Sequence, residues 1–180
     1  IHRDLVAFVA RIPLLAARAG LAISRPPGVT QLFTAEVIEQ LAPLIHLRYQ
    51  DTSAATNNAT LSSLAQQAWE QLDDFTRESN RAQARDIPVK LAMIGFDVAV
   101  SDGRAPDAAW CTDTDIDELG RYEHDRWWYV QLINGWRHGD VTDRPNKVHE
   151  HMKVWARLSE GVQKYDLDTV RLLPSHLAAV

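Results

Sequence analysis

The chain has little cysteine, no long uncharged hydrophobic run and no concentration of positive charge. Its one cysteine, Cys111, excludes a disulfide within these residues and a zinc site built on several cysteines, and it is typical of a cytoplasmic protein. Arg11, Pro13 and Arg18 interrupt the most apolar stretch, residues 5–23, which favours an amphipathic helix over a membrane span. The net charge of −5, without a Lys/Arg-rich run, disfavours a nucleic-acid partner held through its phosphates.

The motifs that carry common catalytic chemistry are also missing. The sequence contains no G-x-S-x-G, no P-loop and no H-E-x-x-H. Three alternating acidic residues lack the glycine and glutamate of a calcium loop: Asp113, Asp115 and Asp117. A further group lacks the spacing of metal ligands: His138, His149, Glu150 and His151. We therefore expect no enzymatic activity, no cofactor and no metal.

What is present predicts a mainly α protein with short β elements. Hydrophobic residues make up 46 % of the chain, enough for a core. Apolar periodicity and helix-end signals predict six helices: 1–23, 34–49, 73–96, 114–133, 159–172 and 174–179. Pro43 is expected to kink or split the second helix, and Pro88 to break the third after Ile87. Asp113 and Thr114 are expected to cap the fourth.

The segments between these helices are predicted to be loops or short extended elements. Small and polar residues predict loops at 51–60 and 101–112. Asn134-Gly135 is a favourable helix end, and residues 136–143 are expected to form an extended or hairpin element before an irregular stretch at 144–158.

The sequence contains an internal repeat. Residues 69–92 align without a gap on residues 155–178, with six identities in 24 positions against about one or two expected by chance. Upstream, His46-Leu47-Arg48-Tyr49 resembles His124-Asp125-Arg126-Trp127. These matches predict two pseudosymmetric halves, at about 31–100 and 113–180, although similarity between generic amphipathic helices is the alternative.

The second half carries an ordered series of short motifs: Glu123-His124-x-x-Trp127, Gly135-Trp136-x-x-Gly139, Lys147-x-His149, Trp155-x-x-Leu158 and Asp166-x-Asp168. In order and spacing this series resembles the ryanodine-receptor repeat domain, of the type found in bacterial and phage proteins. The resemblance covers about 60–180 and is strongest in 119–177. It departs from the family pattern at Val154, where relatives tend to have proline.

The resemblance implies a domain over 31–180 that binds a ligand or regulates a partner without catalysis. Residues 1–30 lie outside it and are expected to be a helical segment or linker, which joins an upstream domain of the same polypeptide. This segment of the protein is expected to contact neither nucleic acid nor membrane.

Eight residues are candidates for ligand binding: Asn80, Arg81, Lys90, His124, Trp127, Trp128, Trp136 and Arg137. Trp136 or Trp127 can stack on a base, while Arg137, Arg81 or Lys90 can hold a phosphate. The same residues also suit a packed aromatic core and a solvated helix face.

The leading hypothesis is a sensor of a small nucleotide-like molecule, either an adenine nucleotide or an ADP-ribose derivative, bound between the two halves. One alternative is a structural protein–protein interaction module without a small ligand. A hydrolase or transferase that acts on a nucleotide is a third reading, and it requires a buried carboxylate or histidine poised beside the substrate.

Overall fold

The computed structural model describes residues 33–56, 67–96 and 110–180, so the predicted helix at 1–23 lies outside the described residues. The described helices are α1 (Ala35–Thr56), α2 (Asp74–Met93), α3 (Asp113–Ile133), α4 (Glu160–Arg171) and α5 (Leu173–Leu177). Two short strands, β1 (Arg137–His138) and β2 (Val148–His149), lie between α3 and α4. The predicted class, mainly α with short β elements, is confirmed.

The helices pack in two pairs, α1 with α2 and α3 with α4, and α5 contacts α1 and α4. A buried apolar cluster joins α1, α2 and α5: Ile38, Leu41, Ile45, Ala84, Ile87, Leu91 and Leu173. Its members recur every three or four residues along α1 and α2, which gives each helix one apolar face. Burial of each large aliphatic side chain contributes about 1.5–3 kcal/mol, so this cluster fixes how the first pair packs.

Two prolines lie inside continuous helices, which corrects the expected kink or split at Pro43 and the expected break at Pro88. The loop expected at 51–60 is also partly wrong, because α1 continues to Thr56. Each proline removes one backbone hydrogen bond. Both lie beside residues of the apolar cluster, however, and tertiary packing of such a face supplies most of the stability of a helix in a protein.

Helix α3 begins one residue earlier than expected, and its cap is Thr112 rather than Asp113 or Thr114. The Thr112 hydroxyl accepts a hydrogen bond from the Asp115 N–H at 3.1 Å, and the Asp115 carboxylate accepts one from the Thr112 N–H at 2.9 Å. This reciprocal capping box satisfies two orphan donors. The predicted helix end is confirmed, with Asn134 as the cap and Gly135 at φ 82°.

The extended or hairpin element expected at 136–143 contains the short extended strand β1, but no hairpin forms within it. Instead, β1 pairs in parallel with β2, with Arg137 opposite Val148, and Asp143 forms an antiparallel bridge to Val148. Residues 144–147 make a tight turn in which Lys147 has φ 53°. The segment expected to be irregular therefore supplies the second strand, and this arrangement brings His149 beside Trp136, with 6.2 Å between the ring centroids.

A single turn of 3₁₀ helix precedes both α2 and α4, at Trp69–Gln71 and Trp155–Arg157. Each turn is followed after two residues by a helix, whose N-cap is Asp73 in the first case and Ser159 in the second. The Asp73 carboxylate accepts a hydrogen bond from the Thr76 N–H at 2.6 Å. Among the described residues, no helix is both long enough and apolar enough to span a bilayer.

Candidate functional site

A cleft of about 430 Å³ lies where the two helix pairs and the strand segment meet. All five described helices contribute to its walls, through residues such as Arg48 on α1, Asn80 on α2, Trp127 on α3, Asp166 on α4 and His176 on α5. The strand segment closes one side with Trp136, Thr142, Arg144 and the residues around His149. The cleft therefore draws on parts of the chain that are far apart in sequence.

One wall of the cleft is aromatic. Phe75 stacks on Trp136 with 5.5 Å between ring centroids and 24° between planes, and the Arg144 guanidinium lies 5.4 Å from the Trp136 centroid. Trp136 is 6 % exposed, so these neighbours cover most of its ring. Trp127 is only partly buried and meets His149 edge to face, with 4.9 Å between centroids. Trp127 thus offers more ring surface to the cleft than Trp136 does.

Five of the seven histidines line the cleft: His46, His124, His149, His151 and His176. Both ring nitrogens of His124 have a partner within the protein. Nε2 lies 2.8 Å from the Lys153 carbonyl, and Nδ1 lies 3.3 Å from an Asp166 carboxylate oxygen. Burial lowers the pKa of His124, but the hydrogen bond and charge of Asp166, the Lys153 carbonyl and the charge of Asp125 together outweigh it, and the net shift is upward. Burial raises the pKa of Asp166 to about 6. The two groups therefore form an ion pair that shares one proton.

Three other histidines of the cleft have lowered pKa values. Burial is the largest cause, and it lowers the pKa of His149 and of His176 to about 4 each, and also lowers the pKa of His151. These imidazoles are therefore neutral at pH 7, so each has one N–H donor and one acceptor. The His151 N–H of the backbone donates to Nδ1 of His149 at 3.1 Å.

Several buried polar atoms of the cleft have no hydrogen-bond partner among the described residues. They are Gln131 Oε1, His151 Nδ1 and both ring nitrogens of His176. Buried polar groups in native proteins are nearly always paired. Several unpaired atoms on residues that line one cleft indicate a place where another molecule, either water or ligand, completes the pairing.

A buried network of charges connects α2 with α3, and one of its members, Glu123, lines the cleft. The Glu123 carboxylate, 2 % exposed, is bound by Arg126 at 2.6 Å and by Lys90 at 2.7 Å. Lys90 also binds Asp86 at 2.6 Å, and the Tyr122 hydroxyl donates to Asp86 at 2.9 Å. Burial alone raises the pKa of Glu123, but Arg126 and Lys90 together hold it at about 2. The carboxylate is thus fully ionised at neutral pH.

Half of the residues predicted to bind ligand line the cleft: Asn80, His124, Trp127 and Trp136. The other four, Arg81, Lys90, Trp128 and Arg137, are not among its lining residues. Lys90 has no exposed surface and is committed to the buried network. Arg81 pairs with Glu39 at 2.7 Å and lies over Trp69, while Arg137 is exposed on β1.

Sequence reasoning missed several cleft residues, among them Arg48, Phe75, Gln131, Arg144 and His176. Arg48 carried a signal, since it belongs to the repeated His-x-Arg-aromatic motif. Arg144 carried none, because it lies in a non-periodic turn whose position depends on the parallel strand pairing. His176 looked like one polar residue in a short terminal helix.

The described residues form a small helical fold with an aromatic-walled, histidine-rich cleft. No model of a known protein family matches the chain, and no curated protein matches it either.

Proposed function

We propose that this chain is a non-catalytic ligand-sensing module of the ryanodine-receptor-repeat type, acting in the cytoplasm. In this proposal the cleft binds a small nucleotide-like molecule, such as an adenine nucleotide or an ADP-ribose derivative. The observation that carries it is the convergence of aromatic rings and unpaired buried polar atoms in one cleft. Each unpaired buried group costs about 1–3 kcal/mol, so a ligand that pairs with these atoms gains affinity.

The dimensions and chemistry of the cleft support a ligand of this size and polarity. Small-molecule sites typically have volumes of about 300–1,000 Å³, and this cleft has about 430 Å³. Trp127 supplies a partly exposed ring for stacking on a base. The amides of Asn80, Gln83 and Gln131 line the same cleft, and amide groups can read the donor and acceptor pattern at the edge of a base.

The proposed family type, with two related halves, is supported by a hydrogen bond that occurs at matching positions. His46 Nε2 lies 2.9 Å from the Gln67 carbonyl, and His124 Nε2 lies 2.8 Å from the Lys153 carbonyl. In each case the carbonyl belongs to the residue two positions before a tryptophan that opens a 3₁₀ turn, Trp69 or Trp155. The same part-buried contact in both places supports two related halves over a chance likeness between amphipathic helices.

The proposed lack of catalysis is supported by the state of the histidines. Both ring nitrogens of His124 already face protein acceptors, so this imidazole has no free nitrogen to take a proton from a substrate. His149 and His176, with pKa values of about 4, are weak bases at neutral pH. General base catalysis is most efficient when the pKa lies near the working pH.

A thermal-shift screen tests this proposal. The purified chain is heated with AMP, ADP, ATP, ADP-ribose or cyclic ADP-ribose at graded concentrations. A compound that binds only the folded state stabilises it by about 2.7 kcal/mol at 100 times its Kd, which corresponds to a rise in Tm of about 5–11 °C for a chain of this size.

The matched variants for this screen are Asn80→Ala, inside the cleft, and Arg137→Ala, on the exposed strand outside it. We expect the shift to fall in the first and to persist in the second. If none of these compounds raises the Tm, the nucleotide proposal is wrong and a protein-interaction module becomes the better account.

A further inference from the structure

The side chain of His176 is fixed in an unusual state. It is 4 % exposed, it lines the cleft, and neither ring nitrogen has a hydrogen-bond partner among the described residues. Its neighbours on α5 hold it there, because Leu173 is buried in the apolar cluster and Leu177 packs against that cluster. The imidazole cannot turn outward to water without unpacking α5, so the cleft that it lines is the place from which a partner for its ring nitrogens can come.

Arg48, on α1, lines the cleft together with His176. The helices that carry these two residues contact each other. Burial is the main reason that the pKa of His176 is low, and the positive charge of Arg48 lowers it further. A neutral imidazole beside a guanidinium offers one N–H donor next to a forked set of charged donors. Guanidinium groups bind the oxygens of phosphate and carboxylate with short, charge-assisted hydrogen bonds.

The acidic residues of the cleft do not oppose an anion strongly, because most of them are already neutralised. Glu123 is bound by Arg126 and Lys90, and Asp166 is bound by His124. Asp168 is bound by Lys164 and Arg171. The cleft therefore has no group of unpaired carboxylates that would favour a cationic ligand over an anionic one.

We propose that His176 and Arg48 form an oxyanion subsite in the part of the cleft lined by α1 and α5. The subsite binds a phosphate or a similar tetrahedral oxyanion: the imidazole donates one hydrogen bond and the guanidinium donates the others. For a whole nucleotide, this assignment rests on the proposed function, in which the cleft also binds the rest of the nucleotide. The subsite itself can be tested with an inorganic oxyanion alone.

This geometry couples anion binding to proton uptake. A negative charge beside an imidazole favours its protonated form, so a bound oxyanion raises the pKa of His176. The titratable or charged groups that line the cleft on the helices packed against α5 are His46, Arg48 and Tyr49 on α1, and Tyr165, Asp166 and Asp168 on α4. Arg48 is the one whose charge shifts the pKa of His176.

The test follows the ring nitrogens of the histidines by NMR in the intact chain, with sulfate as the probe because its charge is constant over the pH range used. Saturating sulfate is expected to raise the titration midpoint of His176 by at least about one pH unit, equivalent to a tenfold tighter binding of sulfate to the protonated form. The ring signals of His138, which does not line the cleft, are expected not to respond to sulfate.

Three variants separate the subsite from general electrostatic attraction. Arg48→Gln, on the exposed part of α1, is expected to weaken sulfate binding at least tenfold, while Arg137→Gln, which removes an exposed arginine outside the cleft, is expected to leave it unchanged. His176→Gln keeps a donor but cannot titrate, so the proton uptake measured calorimetrically should vanish. If His176→Gln does not fold, Arg48→Gln alone decides.

The result that overturns the subsite is an unchanged His176 midpoint in sulfate together with equal sulfate binding by Arg48→Gln and the wild-type chain. Comparison of AMP with adenosine distinguishes this failure from failure of the proposed function. Equal affinity for both compounds refutes the subsite but keeps a nucleotide-binding cleft. A sulfate response at His176 without binding of either compound supports the subsite and refutes the nucleotide.

Discussion

Replacement of Lys90 by methionine tests the buried charge network most directly. The ammonium group lies 2.7 Å from Glu123 and 2.6 Å from Asp86, and the lysine has no exposed surface. Methionine fills a similar volume, so packing is largely kept while the charge is removed. The change removes a cation from two carboxylates, those of Asp86 and Glu123.

The expected cost can be worked from the pKa of Glu123. Its shift from 4.5 to about 2 corresponds to about 3 kcal/mol of stabilisation at neutral pH, which Arg126 and Lys90 supply against the cost of burial. Removal of one partner from a buried ion pair typically costs about 3–5 kcal/mol, because the remaining charge is left uncompensated. We therefore expect Lys90→Met to lower the free energy of unfolding by about 3 kcal/mol.

The assay is urea denaturation at pH 7, followed by tryptophan fluorescence. Lys164→Met is the matched control, because Lys164 also pairs with an aspartate four residues away, Asp168, but is exposed. Exposed pairs of this kind contribute about 0.3–0.5 kcal/mol. If both variants lose the same small amount of stability, the buried network does not hold α2 against α3 as described.

Four further substitutions have defined outcomes in the same denaturation assay. Gly120→Ala is expected to destabilise the fold, since its Cβ would lie 2.6 Å from a methyl carbon of Leu167 between α3 and α4. Gly161→Ala would place its Cβ with no atom within 4 Å, so it should stabilise the fold by about 0.5–1 kcal/mol. A stability change of the same sign for both variants would contradict this packing. Thr112→Ala removes half of the capping box and should cost about 1 kcal/mol; an unchanged stability would mean that the cap is not formed. In the folded protein the pKa of His149 is lowered from 6.5 to about 4, so its stabilising contribution is complete above pH 6.5 and is lost as the pH falls towards 4. His149→Gln should therefore flatten the acid side of the curve of unfolding free energy against pH. An unaltered slope would refute the lowered pKa.

Local sequence signals predicted most of the helical framework. The end of α3 at Asn134-Gly135 and the helix opened by Pro174 depend on neighbouring residues, and both predictions agree with the structure. Pro43 and Pro88 were misjudged because the local rule counts a lost hydrogen bond, while the apolar face that keeps each helix continuous is made with distant residues.

The candidate site was harder to predict because most of it is non-local. Arg144 enters the cleft only through a parallel strand pairing that no hairpin rule anticipates. Lys90 looked like a free cation on a helix, yet the partner that buries it, Glu123, is 33 positions away on α3. His124 and Trp127 were predicted correctly because they lie three positions apart on α3, which puts both side chains on the same helix face, and that face lines the cleft.

The measurement that tests the central claim most directly is a ¹H–¹⁵N spectrum of the six tryptophan indoles during titration with ADP-ribose and with AMP. Trp127 and Trp136 line the cleft, while Trp69, Trp110, Trp128 and Trp155 are not among its lining residues. A ligand in the cleft should shift the Trp127 and Trp136 indole signals saturably and leave Trp69 and Trp110 nearly unmoved. No shift of the Trp127 and Trp136 signals with either compound, or equal shifts of all six, would contradict a nucleotide-binding cleft.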